Sequence, residues 1–325
     1  MRASSLPTEL GSAFRVRDAL ERGVQPSRLR ARDLEQPFRG VRVQSNNVGQ
    51  RPLLQNDESD ALRAEVLASA RAYALRMEPH EFFSHSTAAH IWGVPLPPLR
   101  TSKLHVSVVA PHRPVRVRGV VAHEAQPHLT RVVTHADSGL RVSSPATTWA
   151  TLGSELWHPY DLVAAGDAFI RVQRFPGPWF RQLPPPLARF DQLEAAVRAG
   201  RRVGRPALRA ALPKLRTGSA SRTESWTRLI ICEAGLPEPA LDHDVYDARG
   251  TFIGCVDQAY PELKIAIEYE GDHHRLDPSA WNRDLAKHDA LQAAGWRVIR
   301  VSRAMLFGEP ELLIARVRAA VRSRA

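Results

Sequence analysis

The run Leu263-Lys-Ile-Ala-Ile-Glu-Tyr-Glu270 constrains the fold of this chain more than any other stretch. A short apolar run that ends in polar residues predicts a buried strand. Its period of two puts Glu268 and Glu270 on one face, just before Gly271-Asp-His-His274. Two further strands are predicted over 241–245 and 251–256, joined by the turn Asp247-Ala-Arg-Gly250, and Asp257 closes the second of them. A helix over 221–234 carries Glu224 in its first turn. Another over about 279–294 carries Asp284, Lys287 and Asp289 and ends at Gly295. A strand over 297–301 and a helix over 311–321 follow. Strands and helices in this order predict an α/β domain over 218–325 with a mixed central sheet.

Three carboxylates converging on one sheet edge repel each other unless a divalent cation joins them. Hard oxygen donors suit Mg2+ or Mn2+, which also bind phosphate oxygens. Asp257 and Glu268 are the candidate metal ligands, and Glu224 approaches the same point from its helix. A metal held there lowers the pKa of a bound water and stabilises charge on a phosphate under attack.

The charge of the chain agrees with a polyanionic partner. The 325 residues carry 45 Lys+Arg against 34 Asp+Glu. Residues 218–325 hold 14 basic and 16 acidic residues, so 1–217 hold 31 against 18. A basic front and a mildly acidic back suggest that phosphate binding and chemistry are separated. Genome composition is the competing explanation, because only four of the basic residues are Lys.

The front divides into three segments. Residues 1–50 predict a winged helix-turn-helix: a helix ending at Gly23, a second over 28–34 capped by Ser27, and a strand over 40–43. Arg28, Arg30 and Arg32 on the second helix are candidate DNA contacts. Residues 58–174 predict an α+β domain, with helices over 58–77, 86–93, 144–157 and 161–174 around strands at 104–109, 115–123, 131–135 and 140–142. Residues 175–217 form a Pro- and Arg-rich linker broken by Gly200, Gly204 and Pro206, where Arg201, Arg202 and Arg205 are further DNA-binding candidates.

The stretch 220–308 resembles the PD-(D/E)xK nucleases, and within them the very-short-patch-repair (Vsr-like) endonucleases. The resemblance rests on Ser221-Arg-Thr-Glu224, Gly235-Leu-Pro237, Val256-Asp257, Ile267-Glu-Tyr-Glu-Gly271, His273-His274, Arg283-Asp284 and Gly295-Trp-Arg-Val-Ile-Arg300. It implies a restriction-endonuclease-like fold in which Asp257 and Glu268 bind metal and Glu224 is the acid on the first helix. Position 270 corresponds to the Lys of the pattern but is Glu here. The positive group then comes from elsewhere, with Lys287 or Arg283 as candidates, and His273 or His274 serves as acid or base. The front is similar to AbiEi-type antitoxin regulators through Gly23-Val24, Phe38-Arg-Gly-Val41, Ser86-Thr-Ala-Ala-His-Ile-Trp-Gly-Val-Pro95 and Val142-Ser-Ser-Pro-Ala-Thr-Thr-Trp149. That resemblance implies DNA binding by the front.

The expectation is therefore a metal-dependent DNA endonuclease with an N-terminal DNA-binding module. The alternative is a DNA-binding regulator or antitoxin-like protein whose nuclease fold is inactive. No apolar run approaches the roughly 20 residues of a membrane span, and the N-terminus shows no signal-peptide core. Cys232 and Cys255 make no disulfide framework, so the expected compartment is the cytoplasm and both thiols are expected to be buried and inert. His85 and His90 stand five apart, the wrong spacing for a helical metal pair. His105, His112, His123, His128 and His135 read as scattered and solvated, and Trp92 and Trp149 as core.

Overall fold

The computed structural model describes residues 5–45, 58–98, 102–179, 181, 183–271 and 278–324, with the backbone alone for 58–59 and 278–282. The chain has a mixed α/β architecture in two compact units, 1–155 and 156–325.

The first unit begins with β1 (Ala13–Arg15), α1 (Val16–Glu21), β2 (Leu34–Glu35) and β3 (Val41–Gln44), and the three strands pair antiparallel in the order β1-β3-β2. The helix expected over 28–34 is a correction. Arg28–Arg30 make a single 3-10 turn, and the chain then enters β2. Ser27 has helical backbone angles and makes no side-chain cap, so the cap on which the expectation rested is missing.

The unit continues with α2 (Glu58–Ala74), β4 (Glu81–Phe83), α3 (His85–Trp92), β5 (Leu104–Val109), β6 (Val120–Ala125), β7 (Val132–Thr134), β8 (Arg141–Ser143) and α4 (Pro145–Leu152). The five strands lie in the order β6-β5-β4-β8-β7. The sheets share one core, in which Phe38 and Val41 pack with Tyr73, Phe83, Leu104 and Val142. The Phe38 and Tyr73 rings meet edge to face at 5.1 Å. Gly93 ends α3 in the left-handed region at φ 77°, and the Ser144 hydroxyl accepts from the Thr147 amide to start α4. Trp149 is fully buried, as expected.

The second unit contains α5 (Pro159–Ile170), α6 (Phe190–Arg198), α7 (Arg205–Ala211), α8 (Arg222–Glu233), β9 (Ala240–Tyr246), β10 (Phe252–Tyr260), β11 (Ile265–Glu270), α9 (Pro278–Ala293), β12 (Arg297–Ser302), α10 (Arg303–Phe307) and α11 (Pro310–Arg322). The sheet order is β12-β11-β10-β9. Its β9, β10 and β11 are antiparallel, and β11 and β12 are parallel. A parallel neighbour requires a crossover, which α9 provides. Ile231, Ile265, Ile267, Val301, Leu306, Leu313 and Val317 form the core between sheet and helices.

Helix α5 was expected to belong to the middle segment, but it lies in this unit because its polar residues are claimed by α8. Asp167, fully buried, accepts from Arg228 Nη2 at 2.9 Å, from Ser225 Oγ at 2.7 Å and from the Arg216 amide at 2.7 Å. Six residues earlier on α5, Asp161 Oδ1 accepts from Arg222 Nε at 2.6 Å and from Trp226 Nε1 at 2.7 Å. The basic segment 175–217 therefore belongs to the same unit as the acidic sheet. The two units carry 20 Lys+Arg against 14 Asp+Glu and 25 against 20, so basicity does not divide between front and back.

Asp167→Ala leaves the Arg228 guanidinium buried with half its partners gone. The expected cost is about 3–5 kcal/mol of unfolding free energy, read from urea denaturation of the full chain. A fragment starting at 156 should unfold cooperatively, and one starting at 218 should be far less stable because it lacks Asp167 and Asp161.

Candidate functional site

Glu224 occupies the third position of α8. Its amide donates to the Ser221 hydroxyl at 3.2 Å, and its own Oε2 accepts from the Ala220 amide at 2.6 Å, so the helix start holds the carboxylate in place. The Glu224 carbonyl accepts from Gln258 Nε2 at 2.8 Å, a buried bond that ties α8 to β10.

Asp257 lies within β10, which runs on to Tyr260, and so does not close the strand as expected. Its Oδ2 accepts from the Tyr269 amide at 2.8 Å. Gln258 pairs with Ile267 across the antiparallel β10–β11 register, and the next step along it sets Asp257 opposite Glu268. Residues directly opposite in an antiparallel pair share a face. On the other side, Val256 pairs with His243 and Gln258 with Leu241, which sets Asp257 between Asp242 and Glu268.

Burial, reinforced by Glu268 and Asp242, pushes the Asp257 carboxyl up to about 6 against the opposing Tyr269 amide and Lys287. Burial and then Asp257 push Glu224 up to about 7, opposed by the Ala220 amide, Ser221 and Arg171. Burial is the larger cause of both shifts, and the neighbouring carboxylates add to it.

Lys287, on α9, donates its ammonium to Glu268 Oε1. Its stem lies across β10 where the strand has a bulge, and a Cβ on Gly254 would stand 3.1 Å from Lys287 Cε. Glycine at 254 lets the lysine reach the acid. Glu270 is exposed and paired at 2.9 Å with Arg300 of β12. His273 and His274 lie outside the described residues.

A second cation lies on the acidic face. Arg174 Nε donates to Asp242 Oδ2 at 2.6 Å and Nη1 to Asp244 Oδ2 at 2.7 Å, and Nη2 lies 3.0 Å from Cys255 Sγ. Burial and the Asp242 neighbour push the Cys255 thiol up, which keeps it protonated. Both cysteines are free, and both are half-buried rather than enclosed.

Among the DNA-contact candidates, Arg28 is claimed by Asp33 in a two-bond fork at 2.8 and 2.7 Å, with its side chain 9% exposed. Arg30, Arg32 and Arg201 are exposed. Arg202 is half-buried, with its pKa lowered by that burial, and Arg205 Nε donates to the Val197 carbonyl at 3.2 Å.

Sequence reasoning missed one group altogether. His105 and His123, expected to be scattered and solvated, meet His85, expected only to be wrongly spaced from His90 for a helical metal pair, in the first unit, each offering a ring nitrogen within 4.8 Å of the other two. They are the one group of three or more His, Cys, Asp or Glu residues this close among the described residues, so Glu224, Asp257 and Glu268 do not form such a triad. The His85 and His123 rings stack at 3.9 Å. Burial lowers the pKa of His85 to about 2 and those of His105 and His123 to about 4, so all three are neutral at pH 7. No periodicity within a single element could have revealed them, because they stand on three different elements, α3, β5 and β6.

No helix among the described residues is long and apolar enough to cross a membrane. No protein-family model matches the chain. Over 180 residues the chain is 29% identical to two uncharacterized proteins, one from each of two strains of Mycobacterium tuberculosis. The matched region covers 55% of this chain and 61% of each relative.

The raised carboxyl pKa gives a pH test. A group protonated more readily when folded than when unfolded adds stability at low pH and loses it as pH rises through the folded value. Without divalent cations, the window for Asp257 runs from about 4 to about 6 and for Glu224 from about 4.5 to about 7. Asp257→Asn should therefore gain stability relative to wild type by roughly 2–3 kcal/mol between pH 4 and pH 8, measured by denaturant unfolding at each pH.

Proposed function

We propose that this protein is a metal-dependent DNA endonuclease whose catalytic unit is a PD-(D/E)xK nuclease of the Vsr-like kind, joined to an AbiEi-like front that binds DNA. The observation that carries this reading is the alignment of Asp257 with Glu268 across neighbouring strands, with Glu224 tied to the same strand from α8 and Lys287 reaching Glu268 from α9.

The donors fit a hard divalent cation. They are carboxylate oxygens, and two of them are held above their ordinary pKa by burial first and by neighbouring carboxylates second, both of which a bound cation would offset. Asp257 and Glu268 would hold Mg2+ or Mn2+, which supplies charge neutralisation for the phosphodiester and a more acidic water. The chain's own contribution is positional. Glu224, with a pKa near 7, can accept a proton at neutral pH. Lys287 provides the positive charge that position 270 lacks, and it is held against Glu268 until a phosphate competes for it. Cytoplasmic location accompanies this reading, since the substrate is DNA.

A second reading has its own support. Glu224, Asp257 and Glu268 do not close into a tight triad, and Lys287 and Arg174 already neutralise much of the acidic face. An inactive nuclease fold that serves a DNA-binding regulator would keep this arrangement.

Plasmid DNA incubated with the full chain and Mg2+ or Mn2+, with and without chelator, separates the two. The nuclease reading expects metal-dependent nicking or linearisation that Asp257→Ala and Glu268→Ala reduce at least 100-fold while thermal unfolding stays cooperative. Binding without cleavage supports the regulator.

DNA binding by the front no longer rests on a recognition helix, and Arg28 is removed from it by Asp33. Replacing Arg30 and Arg32 with Ala should weaken duplex binding and flatten its dependence on salt, by up to about one unit of slope for each phosphate no longer neutralised. Fluorescence anisotropy over a salt series measures this. Arg28→Ala should instead lower stability, because it breaks a structural fork.

A further inference from the structure

The three-histidine group of the first unit goes beyond the nuclease reading, which makes no use of it. Two of its residues come from neighbouring strands and the third from the start of a helix. His123 is on β6, His105 is on β5, and His85 opens α3, separated from the end of β4 by Ser84 alone. In the parallel β5–β6 pair, His105 lies opposite Val121 and Ser107 opposite His123. The two histidines are therefore offset by two positions, which keeps them on one face. His85 is delivered to that face by a left-handed backbone at φ 52°, a conformation that few non-glycine residues adopt.

The ring nitrogens are sorted by their partners. Ser84 Oγ holds His85 Nδ1 at 2.9 Å, which leaves His85 Nε2 free of that bond. The serine oxygen has two lone pairs, enough for the Ser107 hydroxyl, which donates to it at 2.6 Å, and for a His85 Nδ1–H. His105 turns Nε2 toward Glu155 Oε1 at 3.5 Å, and its Nδ1 lies 3.1 Å from His123 Nε2. The other oxygen of Glu155 accepts from the Ser86 amide at 2.9 Å, so this carboxylate is itself fixed.

From this arrangement we infer that His85 Nε2, His105 Nδ1 and His123 Nε2 form a binding site for a divalent transition cation of the Zn2+ class, with a fourth position left open. Two nitrogens bound tetrahedrally at about 2.0–2.1 Å stand roughly 3.3 Å apart, close to the separation of His105 Nδ1 and His123 Nε2. Neutral imidazoles suit Zn2+, Cu2+ and Co2+ and do not suit Mg2+, so this site and the acidic sheet select different metals. Glu155 and Ser84 are positioning residues. Ser84 takes the non-ligating nitrogen of His85 and Glu155 stands 3.5 Å from that of His105, where carboxylates and hydroxyls around such metals commonly fix ring orientation and raise ligand basicity. Three protein ligands and an open position are the pattern of sites at which the metal also binds water or an exogenous donor.

The test uses the untagged full chain, stripped with chelator, and Co2+ alone as the probe, followed by displacement with Zn2+ alone. The expected result is uptake of one equivalent of Co2+ with the intense visible absorption of a tetrahedral nitrogen site, bleached by Zn2+. His123→Ala should lose that absorption, and Glu155→Gln should weaken the affinity about 10–100-fold while keeping the spectrum. The exposed His128→Ala and the acidic-face Asp257→Asn should leave it as in wild type. The wild-type titration decides the matter even if a histidine variant fails to fold. Absence of stoichiometric uptake, a weak octahedral spectrum, or an unchanged spectrum in His123→Ala would overturn the site.

Discussion

The second unit is organised around a charge pair that water does not reach. Asp167 and Arg228 are both almost fully buried, and removing two such groups from solvent is tolerable only when their hydrogen bonds are satisfied. Ser225 and the Arg216 amide complete the aspartate, and Glu238 supplies a second carboxylate for the arginine at 3.3 Å, while the buried Arg228 Nε has no partner among the described residues. The pair fastens α8 to α5, and Asp161, six residues earlier on α5, repeats the fastening. With α8 held, its first turn presents Glu224 to β10, where Gln258 captures the Glu224 carbonyl. The position of the helix-borne acid thus depends on a segment far earlier in the chain.

The acidic face illustrates how a sheet concentrates charge. The register runs Asp242, Asp257 and Glu268 across three strands. In water such a row would be mildly unfavourable; burial, by stripping solvent from the charged form, displaces the proton affinities of Asp257 and Glu224 upward, and the neighbouring carboxylates add to it. The chain offsets this from outside the sheet. Arg174 comes from the loop after α5 and takes Asp242 and Asp244, while Lys287 comes from the crossover helix and takes Glu268. The bulge at Gly254 allows the second of these, because any side chain there would meet the lysine stem. The pattern residue that is Glu at 270 is engaged elsewhere, with Arg300, so the cation facing Glu268 arrives from another element of the fold.

The two units solve the problem of clustered polar groups in different ways. In the second unit, like charges are held together by counter-charges. In the first, the three histidines avoid repulsion by staying neutral, since burial removes the proton that would charge them. Neutral rings can stack and share a hydrogen bond at van der Waals separation, which three imidazolium groups could not do.

Local patterns in the sequence determined much of this protein. Alternation placed β9, β10, β11 and β12. Glycines at 93 and 295 and serines at 144 and 221 marked helix ends, because a left-handed residue or a side-chain cap acts within a few residues. The placing of Asp257 and Glu268 on adjacent strands was legible too, although Asp257 was expected to close a strand that runs on to Tyr260. The pattern failed at 28–34, where helical spacing lacked a cap and the bidentate Arg28–Asp33 fork and β2 prevailed. It failed at α5, whose apolar face does not reveal which neighbour buries it. Only the tertiary structure decided that Asp167 belongs with Arg228, that Lys287 belongs with Glu268, and that His85, His105 and His123 meet. Each of these pairings joins residues separated by at least 18 positions. No local periodicity encodes them, because they arise from which strands become neighbours and which helix covers them.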